Sequence, residues 1–214
     1  MRESTDPGDR RVPAGRPDAV IFDMDGVLVF SEEAWFAVYN ETLVHFGHAA
    51  ISRQAFDAIY GNGTEADRAM YMPERSVAEI DAAYDRFFRR HLGAIRVNEE
   101  APAALAALRG RGVKTGLATN TNGPLAARIL LHADLRPLLD AVASADEAGA
   151  GKPDPAVLRL ASRRLGVPLA RSVFVGDSRY DAEAARRAPV PFVGFRRDGD
   201  GRVDRLSALP GLLG

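Results

Sequence analysis

Three observations predict an α/β chain, a doubly wound parallel sheet with helices on both faces and an all-helical insertion near its start. From residue 99 onward, short apolar runs that suit strands alternate with helical patterns, the rhythm of a parallel sheet. Between residues 31 and 97 the periodicity is helical and no run reads as a convincing strand. Ahead of that block stands one short apolar run, Ala19-Val20-Ile21-Phe22, with the composition of a buried strand. The expected division is residues 18–30 with 98–214 as the core and 31–97 as the insertion.

Taken in order, residues 1–17 are rich in Pro, Gly, Asp and Arg with almost no apolar content, so a disordered tail is expected. The first strand follows and runs straight into Asp23-Met24-Asp25-Gly26. Ser31 with Glu32 and Glu33 reads as a helix cap and acidic first turn. Trp35, Phe36, Tyr39, Leu43 and Phe46 recur at helical spacing, a stripe best read as core packing. Further helices are expected over 52–59, 64–71 and 76–92, separated by Gly61-Asn62-Gly63 and Met72-Pro73. An Ala/Leu-rich helix covers 99–109, a strand 113–118 and a helix 123–131. A weak strand at 141–143 precedes a helix that Asp154-Pro155 opens and Gly166 ends. A strand at 172–175, a helix at 180–188 and a last strand at 191–194 follow. Residues 196–201 read as a polar loop, with a final helical turn near Leu206.

Composition narrows the function. The 214 residues are 46% hydrophobic, ample for a buried core, and no apolar run reaches membrane-spanning length. No signal-peptide pattern opens the chain, so a cytoplasmic location and no membrane partner are expected. A net charge of -1 argues against a nucleic-acid binder. With no Cys there is no thiol nucleophile and no thiolate metal site. Lysine occurs only at Lys114 and Lys152, so each position matters.

In such sheets ligands sit beyond the carboxyl ends of the strands. Asp23 and Asp25 follow the first strand, and Thr119 and Asn120 follow the second. Gly151-Lys152-Pro153-Asp154-Pro155 lies beyond the third. Gly176, Asp177 and Ser178 follow the fourth, with Asp181 in the next helical turn. Singly, each has a plain explanation: an Asp-rich turn, a helix cap, an N-terminal helix charge, a solvated lysine. Jointly they bring the carboxylates of Asp23, Asp25, Asp177 and Asp181, hydroxyls and one of two lysines to one edge of the sheet. Acids that close repel, and burial needs a cation or a proton.

These four segments, Asp23-Met24-Asp25-Gly26-Val27-Leu28, Leu117-Ala118-Thr119-Asn120, Gly151-Lys152-Pro153-Asp154-Pro155 and Gly176-Asp177-Ser178-Arg179-Tyr180-Asp181, resemble in order the motifs of the haloacid dehalogenase superfamily. The resemblance is to the branch with a helical cap inserted after the first strand, phosphoglycolate phosphatase-like or β-phosphoglucomutase-like. It implies a Rossmann-like core, a Mg²⁺ cofactor and a small phosphorylated metabolite as substrate. Asp23 and Asp177 would ligate the metal through side chains, Asp25 through its backbone carbonyl, with Asp181 in support. Asp23 would be the nucleophile forming an aspartyl-phosphate, and Asp25 the acid and base. Thr119, Lys152 and the Asn120 N–H would hold phosphate oxygens. A phosphate beside carboxylates needs that metal and lysine: each unit-charge pair at ~4 Å costs about 4 kcal/mol at an effective dielectric of ~20.

An acid two residues after the nucleophile favours phosphoryl transfer over carbon–halogen cleavage. The absence of lysine from 31–97 disfavours Schiff-base chemistry. A phosphatase is expected first, a sugar-phosphate mutase second and a non-catalytic binding protein third. Oligomeric state is left open. Within the insertion, Gly61, Thr64 and Arg68 are specificity candidates, although a helix cap and a solvated arginine explain them as well. The chain departs from the family pattern at Phe30, where an Asp commonly precedes the serine, and at Ala188-Pro189, where an Ala-Gly pair is usual.

Overall fold

The computed structural model describes residues 16–213. The tail expected over 1–17 lies outside these residues except for Arg16 and Pro17, and Pro17 is buried.

A six-stranded parallel sheet forms the centre, in the order β5-β4-β1-β6-β7-β8. Its strands are β1 (Ala19–Phe22), β4 (Lys114–Thr119), β5 (Ala141–Ser144), β6 (Ser172–Gly176), β7 (Phe192–Phe195) and β8 (Gly201–Val203). β1 lies in the middle, with Phe22 opposite both Leu117 and Val175. β1 and β6 are buried along their whole length, on both faces of the sheet, which is why their cores read as continuous apolar runs. Side chains still alternate. Val20 and Phe22 join the cluster that contains Leu105, Leu108, Leu125 and Ile129 of α5 (Ala101–Gly110) and α6 (Gly123–His132). Ala19 and Ile21 join the opposite cluster, with Val157, Leu158 and Ala161 of α8 (Ala156–Leu165) and Ala184 of α9 (Arg179–Arg187). Full burial of a side chain such as Ile21 is worth about 1.5–3 kcal/mol.

The block between β1 and β4 holds α1 (Glu32–His45), α2 (Arg53–Asp57), α3 (Thr64–Tyr71) and α4 (Val77–His91). α4 starts with a capping box between Ser76 and Glu79, as the Ser-x-x-Glu spacing allows. The aromatic stripe of α1 packs inward: Trp35 meets Tyr84 edge-on at 5.4 Å and Phe88 at 4.9 Å. α7 (Ala145–Ala148) and α10 (Leu209–Leu212) are single turns.

Three expectations need correction. The region read as strandless up to Val97 ends in a strand, β3 (Arg96–Val97), which pairs antiparallel with β2 (Val29–Phe30). A two-residue ladder has no periodicity to read. The loop read over 196–201 turns back into β8, whose Gly201-Arg202-Val203 is too short and polar to signal a strand, yet pairs with β7. Ser31 does stand at the head of α1, but its side chain makes no cap there. At the β2–β3 ladder, the Arg96 and Arg196 guanidiniums lie 5.6 and 5.4 Å from the Phe30 ring centroid. Among the described residues no helix is long and apolar enough to cross a membrane.

Candidate active site

The carboxyl ends of β1, β4 and β6 meet beneath the helical block, enclosing a cavity of about 90 Å³. Its floor is acidic. The backbone N–H of Asp23 donates to Val175 O at 2.8 Å, so the residue continues β1 along β6. The chain then turns sharply at Gly26, where the Val29 carbonyl accepts from the Gly26 N–H at 2.7 Å. Glycine is required there twice over. Its φ is +86°, and a Cβ would stand 2.0 Å from Asp177 Oδ2.

Asp181 serves two structures at once. Its Oδ2 accepts from the Ser178 N–H at 2.9 Å and from the Ser178 hydroxyl at 2.5 Å, closing the capping box of α9. Its Oδ1 faces the site, 2.7 Å from Lys152 Nζ. The helix-charge reading and the site reading of Asp181 both hold, one oxygen each. Lys152, from the loop before α8, also donates to Asp23 Oδ1 at 2.5 Å and to Ala118 O at 3.1 Å, and it is buried. One oxygen from each of Asp23, Asp177 and Asp181 lies within 4.8 Å of the others.

Asp25 points elsewhere. Its Oδ1 accepts from the Ser31 hydroxyl and from Trp35 Nε1 at 3.2 Å, and its Oδ2 accepts from the Thr121 hydroxyl at 3.0 Å. Ser31 leaves its helix uncapped to do this. The two acids of Asp23-Met24-Asp25 therefore occupy different environments, one on a lysine and one among neutral donors.

The charges do not balance: four carboxylates face one ammonium. Burial, and then the charge of Asp181, push the Asp23 carboxyl well above the usual range, against the pull of Lys152. Burial and Asp181 raise Asp177 to about 7. Burial raises Asp25, while its hydrogen bonds from Ser31, Thr121 and Trp35 oppose the shift. Burial alone would lower Lys152, but Asp181 and Asp23 outweigh it and hold it above the ordinary lysine value. A compact set of hard carboxylate oxygens with excess negative charge fits a divalent cation.

Thr119 is buried and its Oγ1 accepts from the Thr121 N–H at 3.1 Å. The Asn120 side chain does something its position in the motif did not suggest. Its Oδ1 accepts from the Lys152 N–H at 2.6 Å, while its Nδ2 donates to Lys152 O at 2.9 Å, Gly61 O at 2.9 Å and Asn62 O at 3.3 Å. It thus ties the lysine loop to the helical block. Two further links cross the same gap: Asn122 to Asp81 at 3.0 Å and Arg128 to Asp85 at 2.9 Å.

Of the specificity candidates, Gly61 and Thr64 line the cavity, although the Thr64 hydroxyl donates to Asp81 at 2.7 Å. Arg68 is turned away, bonded to Glu65 at 2.9 Å and to Pro73 O at 3.3 Å, and does not line the cavity. The residues that sequence reasoning missed are Ser31 and Thr121 on Asp25, and Asp67, Tyr39 and Tyr84 in the cavity wall. Tyr84 donates to Asp67 Oδ2 at 3.0 Å. The available signal is one tyrosine on each of two apolar helix faces, Tyr39 on α1 and Tyr84 on α4, since a buried phenol needs a partner.

The haloacid dehalogenase-like hydrolase family profile matches residues 17–189. The chain belongs to that family. It is 31% identical to a plasmid-borne phosphoglycolate phosphatase of Cupriavidus necator, over 91% of this chain and 92% of the relative. It is 35% identical to a phosphoglycolate phosphatase of Rhodospirillum rubrum, over 83% and 78%. Among solved structures, CbbY of Rhodobacter sphaeroides in complex with phosphate superposes with a TM-score of 0.80 at 24% identity, covering 90% of this chain and 96% of that one. The β-phosphoglucomutase of Clostridium difficile gives 0.78 at 18% identity, over 90% and 93%. The expected enzyme class, a phosphoric monoester hydrolase, is the class these relatives support.

Proposed function

We propose that this chain is a Mg²⁺-dependent phosphatase that hydrolyses a small phosphomonoester through an aspartyl-phosphate on Asp23. The observation that carries the reading is the split between two acids one residue apart. Asp23 sits on Lys152 within the acidic cluster, while Asp25 is held off it by Ser31, Trp35 and Thr121. That is the division a nucleophile and a proton-transfer group require.

Asp23, Asp177 and the Asp25 carbonyl would hold the metal, with Asp181 in support. When bound, the cation neutralises the acids and polarises the phosphoryl oxygens. The carboxylate of Asp23 attacks phosphorus, forming a P–O bond as the bond to the leaving oxygen breaks. Asp25, protonated at the start as its raised affinity favours, gives its proton to that oxygen. Asp25 then takes a proton from water as the water attacks phosphorus, and the Asp23–phosphorus bond breaks to release phosphate. Lys152, Thr119 and the Asn120 N–H hold the non-bridging oxygens. Residues 31–97 act as a cap over a core of 18–30 and 98–214, and cap closure excludes bulk water from the acyl phosphate. The mutase alternative rests on fold likeness at 18% identity, whereas the relatives above 30% bear phosphatase names.

The test is phosphate release from a chromogenic aryl phosphate, with Mg²⁺ and with chelator, for wild type and Asp23→Asn. Metal-dependent release that disappears in the variant is expected. Release indifferent to both chelator and substitution would overturn the reading.

A further inference from the structure

The wall above the acidic floor has its own chemistry. Trp35, Tyr39, Phe56, Tyr60 and Tyr84 line it, with a single charged group, Asp67. The Asp67 side chain is buried on α3, and its Oδ2 takes the Tyr84 hydroxyl. The Tyr39 hydroxyl is buried, stands close to Asp67, and has no hydrogen-bond partner among the described residues. A buried phenol without a partner, in a cavity wall, is a group waiting for one.

What the wall lacks is equally specific. Among the described residues, no arginine or histidine lines the cavity, and its one cation, Lys152, is committed to Asp23 and Asp181 at the floor. The arginines around it bond elsewhere: Arg53 with Glu33, Arg68 with Glu65, Arg128 with Asp85, Arg179 with Ala58 O and the Tyr180 hydroxyl, and Arg197 with Asp177 O. An anionic leaving group would meet Asp67 with nothing to neutralise it. Resting on the phosphatase reading above, we infer that this wall is a subsite for an uncharged, hydroxyl-bearing leaving group, a short polyol or small sugar. It hydrogen-bonds Asp67 and Tyr39, and it excludes carboxylate-bearing esters such as phosphoglycolate. Burial, resisted by the Tyr84 hydrogen bond and aided by the charge of Asp81, holds Asp67 near 7, so it can accept from or donate to a hydroxyl.

The experiment compares kcat/KM for glycerol phosphate, phosphoglycolate and phosphoethanolamine, with a chromogenic aryl phosphate as the common reference. Wild type is expected to prefer glycerol phosphate. In Asp67→Asn the phosphoglycolate-to-glycerol phosphate ratio should rise about tenfold, the size of one strong polar contact. In Tyr39→Phe, kcat/KM for glycerol phosphate relative to the aryl ester should fall about fivefold. Thermal melts check that each variant folds, and the Tyr39→Phe comparison stands if Asp67→Asn does not. A wild-type preference for phosphoglycolate or for phosphoethanolamine overturns the inference, as do ratios unmoved in both variants. Failure to hydrolyse the aryl ester would instead overturn the phosphatase reading itself. Aryl hydrolysis with phosphoglycolate preferred would overturn the subsite alone.

Discussion

The floor and the wall of the cavity solve opposite problems. At the floor, Asp23 and Asp181 crowd one lysine beside Asp177, and burial raises Asp23 and Asp177. In the wall, aromatic rings surround a single acid whose hydrogen-bond partner is one neutral phenol, Tyr84. The floor is built on strand ends and a tight turn, where backbone geometry sets each side chain. The wall is built mainly on the helices α1 to α4, where side-chain packing sets each group. On the proposed reading, the chemistry sits on the strand ends and leaving-group selection on the helices.

The largest effect should come from the floor. Asp23→Asn is expected to lower aryl phosphate turnover by at least about 10⁴-fold, and equally for every ester, since it removes the nucleophile. A loss that varied with the leaving group would blur the division between floor and wall. Next, Asp25→Asn should cost about 10²–10⁴-fold. Here the loss should be greater for an alkyl than for an aryl ester, because a phenolate leaves without help. Equal losses would count against Asp25 as the proton donor.

Asn120→Ala tests the join between the two regions. It removes the side chain that bonds Lys152, Gly61 and Asn62. About a tenfold fall in kcat/KM is expected from lost closure, with the melting temperature little changed. Unchanged kinetics would mean that closure does not depend on this tie.

The smallest effect isolates the wall. Asp67 binds its proton more tightly folded, at about 7, than in the unfolded chain, near about 4. Between those values the folded protein holds a proton that the unfolded chain has released. Stability from this group is therefore present at low pH and is lost as pH climbs through 7. Tyr84, Tyr39 and Asp81 face it, and none of them supplies a positive charge. Asp67→Asn should match wild type at about pH 4 and melt at least about 3 °C higher at pH 8. A difference independent of pH would show that Asp67 is not the titrating group.

The same contrast explains what could be read from the residues alone. Asp23 and Asp177 are visible because each follows an apolar run that fixes the strand end carrying it, and Asp181 because it stands in the first helical turn beyond β6. The order of β1, β4, β5, β6 and β7 and of the longer helices between them is visible for the same reason, whereas β2, β3 and the single turn α7 are not. Asp67 was not, because in Thr64-Glu65-Ala66-Asp67-Arg68 it looks like one more solvated helix charge, and only packing against α4 buries it. Ser31 was taken by its place before a helix to be a cap, when its hydroxyl is spent on Asp25. The Asn120 side chain was hidden because its partners are backbone carbonyls almost 60 residues away, which no side-chain pattern announces. Arg68 was the opposite error: its reach was foreseeable, but Glu65 one turn earlier claims it.

Phe30 bears on how the two regions move against each other. Arg96 lies on the strand returning from the helical block, Arg196 just past β7 in the core, and both rest near the one ring. An aspartate at this position would grip arginines through hydrogen bonds of fixed direction. A ring attracts a guanidinium across a broad face, with little preference for angle and about 0.5–1 kcal/mol per contact at an exposed site. The joint therefore holds both arginines through contacts of broad direction, where a carboxylate would fix each guanidinium at one angle.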